Sequence, residues 1–442
     1  MKTLCVLAAL AIVLSACAAS ATPEPTAVPS ITRTPPPSTP PTPTPWQIRG
    51  GAGTNYRALH MGGNWGTNRD GGVEELSPEY FEWLRELNVN WVGISVAIYV
   101  DDSMDSSVER KYSGVEFPTF TDETLEKLIG AFRQHGFHVY LTLAFEDVHS
   151  ESAAHPVQRW QLGDPDIYNE SPEVLPEFWP WALEHPDHDR YVAEFWQTYT
   201  EQAVYFGQIA EQTGVELYSL GTETDRLIRT TPGGVGSNDF LEEVRAMVEA
   251  VRAVYPGPIT FDRHGDTLLH ADFFGGDSIW QDAGFDVIGV SAYFRLAETP
   301  PTTLITVEEF ESRWESIFAD QLIPLHANHP GKPILFTEFG YTDSLGSPFD
   351  AAADEYAERV LQDADGNGLD DGQEMQANII LALFNVMDRH PGVLQGVFLW
   401  GNQMASDAQW SAFFGQHRGF DIRDKLAEQV VRDRYGAWRD AP

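Results

Sequence analysis

KPILFTEFGY, Lys332–Tyr341, is the stretch whose reading decides the fold. Pro333 opens an apolar run, Ile334, Leu335 and Phe336, that ends in Thr337-Glu338, and Gly340 lets the backbone turn away. A run bounded in this way reads as a buried parallel strand covered on both faces. A carboxylate at the carboxyl end of such a strand points into the mouth of a barrel, where the active sites of that fold lie. A lone strand-end glutamate is equally at home capping a loop or pairing with a cation, so the reading needs a partner.

VELYSLGTETD, Val215–Asp225, has the same shape, with an apolar strand, Gly221, and Glu223 at the exit. The two glutamates are spaced as if three βα units lay between them. This pair resembles the retaining glycoside hydrolases built on an eight-stranded barrel, whose acid/base follows strand 4 and whose nucleophile follows strand 7. Within that clan the GTE and FTEFGY segments are most similar to glycoside hydrolase family 113, the endo-β-1,4-mannanases. The resemblance implies Glu223 as acid/base and Glu338 as nucleophile of a double displacement. The clan pattern places Asn before the acid/base; here that position is Thr222, which bears on how the sugar 2-hydroxyl is held.

Outward from these two segments, apolar runs at 56–61, 90–96, 138–143, 258–261, 286–291 and 394–399 complete a set of eight strands. Helical patterns separate most of them. Ser77 with Pro78, Thr121 and Asn238 read as helix starts, and His135-Gly136 as a stop. Helices are expected over 189–214 and over 423–438. Strand and helix alternating without a repeated motif predict one (β/α)8 barrel spanning 48–442. The GGNWG after the first strand is not GxGxxG, which argues against a doubly wound nucleotide-binding sheet. The Trp- and Pro-rich insertion at about 150–188 has the length of a lid or binding wall.

Several residues that follow strands are candidates for the sugar site. Tyr293 in VSAYF resembles the clan tyrosine that hydrogen-bonds the nucleophile, and Trp400 in VFLWGN resembles its sugar platform. Trp65, Glu146, Asp147, Asp262, Arg263 and His264 are candidates to hold sugar hydroxyls. Arg263-His264 has no second His or Cys at ligand spacing, so neither a catalytic metal nor another catalytic cofactor is expected. No serine nucleophile elbow is present.

A second motif, DADGNGLDDGQE at 363–374, fits the EF-hand loop. Asp363, Asp365, Asn367, Asp371 and Glu374 offer side-chain oxygens, Leu369 its carbonyl, and Gly368 the sharp turn. A structural Ca2+ is expected here, between helices at 351–361 and 373–387. Asp370 stands where a hydrophobic residue usually pairs one hand with another, so a lone hand is expected.

Residues 1–17 read as a lipoprotein signal, with Lys2, an apolar run from Leu4 to Leu14, and Leu14-Ser15-Ala16-Cys17 resembling a lipobox. That resemblance makes Cys17 the lipidated N-terminus, each buried CH2 of its acyl chains adding about 0.8 kcal/mol of membrane affinity. The run itself is too short for a spanning helix. Residues 18–47, dominated by TPPPSTPPTPTP, read as an extended spacer. Cys5 and Cys17 are the two cysteines, so the remainder has no disulfide. A net charge of −38, from 66 acidic and 28 basic residues, disfavours nucleic acid and anionic substrates. Thirteen Trp and 15 Tyr supply flat faces for sugar rings.

The expectation is therefore a lipid-anchored retaining endo-β-glycosidase at the bacterial cell surface. Its expected substrate is a β-linked poly- or oligosaccharide, β-mannan or glucomannan first. A barrel acting on β-glucan or xylan is the nearest alternative. A non-catalytic glycan-binding lipoprotein is the alternative of another class, and it would need neither strand-end glutamate.

Overall fold

The computed structural model describes residues 56–61, 76–100, 105–115, 117–146, 159–164, 179–228, 240–265, 268, 277–364, 366–402 and 414–440. All of them lie in the unit Ile48–Pro442. Within it, eight parallel strands close into a barrel in chain order. They are β1 (Tyr56–Met61), β2 (Trp91–Tyr99), β3 (His138–Glu146), β4 (Leu217–Thr222), β5 (Ile259–His264), β6 (Ile288–Ser291), β7 (Ile334–Phe339) and β8 (Gly396–Leu399). The expected (β/α)8 barrel is the observed fold. Several strands run further at their carboxyl ends than the apolar runs suggest, so Thr222, Asp262 and Glu338 lie within strands.

Helices α1 (Pro78–Glu86), α2 (Asp122–Gln134), α3 (His188–Thr213), α4 (Leu241–Arg252), α5 (Val307–Ile317), α6 (Asp371–Arg389) and α7 (Leu426–Asp440) surround the barrel. Their ends follow local chemistry. Ser77 Oγ accepts from Tyr80 N–H to start α1, and Thr121 accepts from Thr124 N–H to start α2. Gly214, at φ 74°, closes α3 in the left-handed conformation. The expected cap Asn238 lies outside the described residues. Between β5 and β6 the described helix is one turn, Ile279–Asp282. Among the described residues no helix is long and apolar enough to cross a membrane.

Two hydrophobic layers result. The larger fills the space between strands and helices; the smaller, Tyr56, Ala58, Trp91, Tyr140, Leu217, Val287, Leu335 and Phe398, plugs the barrel interior. Strict alternation from Leu335, which faces this interior, would turn Glu338 outward. The β6–β7 register shifts instead, pairing Val290 with Phe336 but Ser291 with Glu338. A matching shift in β4 pairs Ser219 with Thr260 but Thr222 with Asp262. Bulges of this kind re-aim side chains beside active sites. Here they bring Thr222 and Glu338 together above the apolar plug.

The segment 351–361, expected as helix, is turns over 351–356 and then irregular chain in which Glu358 bridges to His417. Asp354 and Tyr356 take positive φ (58° and 64°). Thr342 Oγ1 donates to Ala353 O at 2.5 Å, and Ser344 Oγ donates to Asp354 Oδ2 at 2.6 Å. Tertiary bonds thus override a helix-forming composition. α6 follows, as expected for 373–387, and its Gln376 amide donates to Tyr341 O at 2.8 Å and Phe420 O at 3.2 Å. Fully buried Lys425 at the foot of α7 donates to Asp343 Oδ1 and Gly419 O, both at 3.0 Å. These bonds fix the chain that follows β7 and the chain that precedes α7 against one another.

Candidate active site

The carboxyl ends of the strands open onto a cleft of about 680 Å³, whose floor carries Glu223 and Glu338. Both are buried, at 7% and 1% exposure. Glu223 leaves β4 with φ 53°, a left-handed backbone for a residue with a side chain, and its N–H donates to Asp262 O at 2.8 Å. A strained non-glycine residue of this kind is characteristic of functional positions.

One hydroxyl reaches both glutamates. Ser291 Oγ lies 2.6 Å from Glu223 Oε1 and 3.5 Å from Glu338 Oε2. The nearest carboxyl oxygens are therefore no more than about 6 Å apart, short of the ~6.5–9.5 Å separation of inverting pairs. Tyr293 OH donates to Glu338 Oε2 at 3.1 Å, and Thr222 Oγ1 lies 3.2 Å from Glu338 Oε1. Arg159 covers the other side, donating through Nη2 to Glu223 Oε2 at 2.9 Å and standing 3.8 Å from Glu146 Oε1.

The two carboxyls are pushed apart electrostatically. Burial and the Glu223 charge raise Glu338 to about 8, against the opposing pull of Arg159 and the Tyr293 and Thr222 hydroxyls. Burial also disfavours ionised Glu223, but the Arg159 guanidinium, His264 and the Ser291 hydroxyl together hold it below the usual carboxylate range. The surroundings thus favour a shared proton on Glu338 over one on Glu223. Burial and the two carboxylate charges push Tyr293 well above its ordinary value, so its hydroxyl remains a donor.

The expected residues divide clearly. Tyr293, Trp400 and His264 line the cleft with the two glutamates. Trp400 packs on His60 at 4.8 Å between ring centroids, and His264 Nε2 lies 3.9 Å from Glu223 Oε1. Glu146 ends β3 behind Arg159. Arg263 is a correction: alternation along β5 turns it out of the barrel, where it is 2% exposed and pairs with Asp225 at 3.3 Å. Trp65 and Asp147 lie outside the described residues.

Sequence reasoning missed Arg159, Trp160, Arg295 and Phe420, which also line the cleft. Arg159 and Trp160 come from the long insertion. Arg226, just after β4, holds that piece by an ion pair to Asp164 at 2.8 Å and a bond to Trp160 O at 2.9 Å. Trp160 is 47% exposed at the cleft, whereas Trp179 and Trp181 of the same insertion are wholly buried. The Trp-rich stretch is thus partly binding wall and partly core.

No described residue of the 363–374 loop lines this cleft. Gly368, at φ 87°, donates its N–H to Asp363 Oδ2 at 3.0 Å, while Asp363 Oδ1 is buried with no hydrogen-bond partner. Asn367 Nδ2 donates to both oxygens of Glu374 at 3.2 Å. Asp371 Oδ2 accepts from Ala364 N–H at 3.0 Å. Among the described residues no group of three His, Cys, Asp or Glu is gathered as metal ligands; Asp365 lies outside them. The orphaned oxygen and the all-oxygen donor set nevertheless suit a hard cation.

Comparison with known proteins accords with this geometry. The family model described as Glycoside Hydrolase Family 113 matches residues 178–425, which include Glu223, Ser291, Tyr293 and Glu338. A family 113 β-1,4-mannanase complex is similar in fold at 17% identity and TM-score 0.59, over 86% of this chain and 99% of that one. The family 113 β-mannanase from Alicyclobacillus acidocaldarius follows at 18% identity and TM-score 0.56, over 87% and 98%. The endo-β-1,4-mannanase from Thermotoga petrophila gives 12% and 0.50, over 89% and 78%. A comparison with curated proteins finds no match.

Proposed function

The chain belongs to glycoside hydrolase family 113, and from that premise we propose that it is a retaining endo-β-1,4-mannanase acting on mannan or glucomannan. The observation that carries the retaining mechanism is the Ser291 hydroxyl shared by Glu223 and Glu338, which supports a close pair without room for an intervening water. In this reading Glu223 protonates the departing oxygen while Glu338 attacks the anomeric carbon. Water then hydrolyses the glycosyl-enzyme with Glu223 as base.

Turnover requires the proton on Glu223, opposite to the carboxyl that the surroundings favour. Ser291 supplies the exchange route: Glu338 gives its proton to Ser291 Oγ as Ser291 gives its own to Glu223. Sugar hydroxyls that engage Arg159 draw its charge from Glu223 and favour that exchange. Trp400 and the exposed Trp160 offer faces for sugar rings on this cleft.

The sugar is supported by the family 113 neighbours, which are β-mannanases. Offered mannan, glucomannan, xylan and mixed-linkage β-glucan, the protein is expected to release reducing ends fastest from the first two. Preference for xylan or β-glucan would overturn the sugar assignment. Release from none of them would favour the glycan-binding alternative.

We further propose that Cys17 is lipidated and holds the enzyme at the outer cell surface through the 18–47 spacer, a reading that rests on the Leu14–Cys17 motif. Cys17→Ser is expected to move the protein from the membrane to the soluble fraction, and equal partitioning of mutant and parent would refute it. The 363–374 loop is proposed as a structural Ca2+ site, held by Asp363, Asp365, Asn367, Leu369, Asp371 and Glu374.

A further inference from the structure

Beneath Glu338 lies a third buried carboxyl that the double displacement does not use. Asp262 is wholly buried on β5, pointing inward between β4 and β7. Thr337 Oγ1 donates to its Oδ1 at 2.6 Å. Its Oδ2 lies 3.1 Å from Thr222 Oγ1, the same hydroxyl that stands 3.2 Å from Glu338 Oε1. Three carboxyls and two hydroxyls thus form one chain, Glu223–Ser291–Glu338–Thr222–Asp262.

Proton counting constrains this chain. A threonine hydroxyl carries one proton and cannot donate to two carboxylates at once. With Asp262 and Glu338 both ionised, one of the two facing oxygens would be buried without a donor, which is costly. With Glu338 ionised, Thr222 can donate to it and leave neither facing oxygen unsatisfied only if Asp262 carries a proton and donates it to Thr222 Oγ1.

We propose that Asp262 is a permanently protonated positioning residue, which donates to Thr222 so that Thr222 donates to Glu338 and keeps the nucleophile ionised. The inference rests on Glu338 as nucleophile. In the working state the outer carboxyls, Glu223 and Asp262, each hold a proton, and the central one holds none. The single negative charge then faces Arg159, with Tyr293 as a further donor. The groups facing Asp262 are Glu338 and Thr337 of β7, Thr222 and Glu223 of β4 and its exit, Tyr140 of β3, and Tyr293 beyond β6. None of them is a cation. Burial and the Glu338 and Glu223 charges accordingly push the Asp262 carboxyl well above the usual range, against the Thr337 and Thr222 hydroxyls.

Thr222 stands where the clan pattern has Asn. An Asn amide carries its own two protons and needs no protonated neighbour. A threonine there has one proton to give, and a protonated Asp262, donating to Thr222 rather than competing for it, leaves that proton to Glu338.

The test compares Asp262→Asn with Asp262→Ala. The amide of Asp262→Asn keeps both bonds, accepting from Thr337 and donating to Thr222, without a titrating proton. Infrared difference spectra of parent minus Asp262→Asn at neutral pH should show a carboxylic-acid carbonyl band from Asp262, any Glu338 acid band being common to both and cancelling. The acidic limb of kcat/KM should stay in place in Asp262→Asn, with at most about a threefold loss of rate. In Asp262→Ala Thr222 keeps its own proton but loses the donor that orients it toward Glu338, so that limb should rise by a few tenths of a pH unit and kcat/KM fall severalfold. Absence of the acid band would overturn the proposal. So would an acidic limb that moves down in Asp262→Asn, since that would mean a negative charge had been removed beside Glu338. The infrared result is independent of which glutamate attacks, so an inverted product would sink the mechanism without altering the reading of Asp262.

Discussion

Glu338→Ala is expected to lose about 10⁴–10⁶-fold in kcat on every substrate, the scale on which loss of a covalent nucleophile acts. Glu223→Ala is expected to lose about 10²–10⁴-fold on polysaccharide, the scale of general acid–base assistance. On an aryl glycoside with a good leaving group, Glu223→Ala should still form the glycosyl-enzyme, because that departure needs little protonation. Azide needs no general base, so it should accelerate the second step of Glu223→Ala and give the β-glycosyl azide. On Glu338→Ala, azide enters the space of the missing carboxylate and should give the α-azide. NMR of the product anomer thus assigns each role without reference to the preferred sugar. The pH profile offers a check on the intact pair. Above the upper titration, at about 8, both carboxyls are ionised and no proton remains for the leaving oxygen, so kcat/KM should fall as pH rises through that value. An inverted product from the parent would refute Glu338 as nucleophile.

Removing calcium is expected to produce the second large effect, this time on stability. An ion that binds only the folded chain stabilises it by about 2.7 kcal/mol when present at a hundredfold its dissociation constant. For a domain of this size, that corresponds to a melting shift of about 3 °C. Chelation should lower the melting temperature and added Ca2+ restore it. Glu374→Gln should abolish most of the response. Asp370 shows why the effect should reach beyond the loop. It caps α6 by accepting from Gly372 and Gln373 N–H, and it pairs with Arg418 at 3.1 Å. Arg418 also donates to Asp343 O in the chain after β7. Loosening the loop therefore loosens the segment that leaves the nucleophile strand. A melting temperature indifferent to calcium would rule the site out.

The barrel was legible because each buried strand is an apolar run closed by polar or glycine residues. The two glutamates were legible because both runs end on one. What the sequence concealed was direction. Period-two alternation from Leu335 would aim Glu338 at the helices, and only the register shift beside Thr337 turns it inward. A bulge is a relation between two strands and leaves little mark on the composition of either. The same alternation, had it been applied to β5, would have turned Arg263 away from the cleft and Asp262 into the barrel. Arg159 left no local signal, because its place is set by the pairing of Arg226 with Asp164 across the fold. The acid- and alanine-rich 351–361 segment misled for a related reason: Thr342 and Ser344 capture its backbone and side chains from outside.

The left-handed backbone at Glu223 bears on how this chain can change over generations. A side chain in that conformation costs about 1–2 kcal/mol, a cost that glycine escapes and asparagine partly escapes. Drift under selection for a durable fold alone therefore runs away from glutamate at position 223. A descendant that kept the barrel only to hold glycan would gain stability by the very substitution that ends turnover. Loss of catalysis in such a lineage is downhill and its recovery uphill, so the acid persists at this position only while hydrolysis itself is selected.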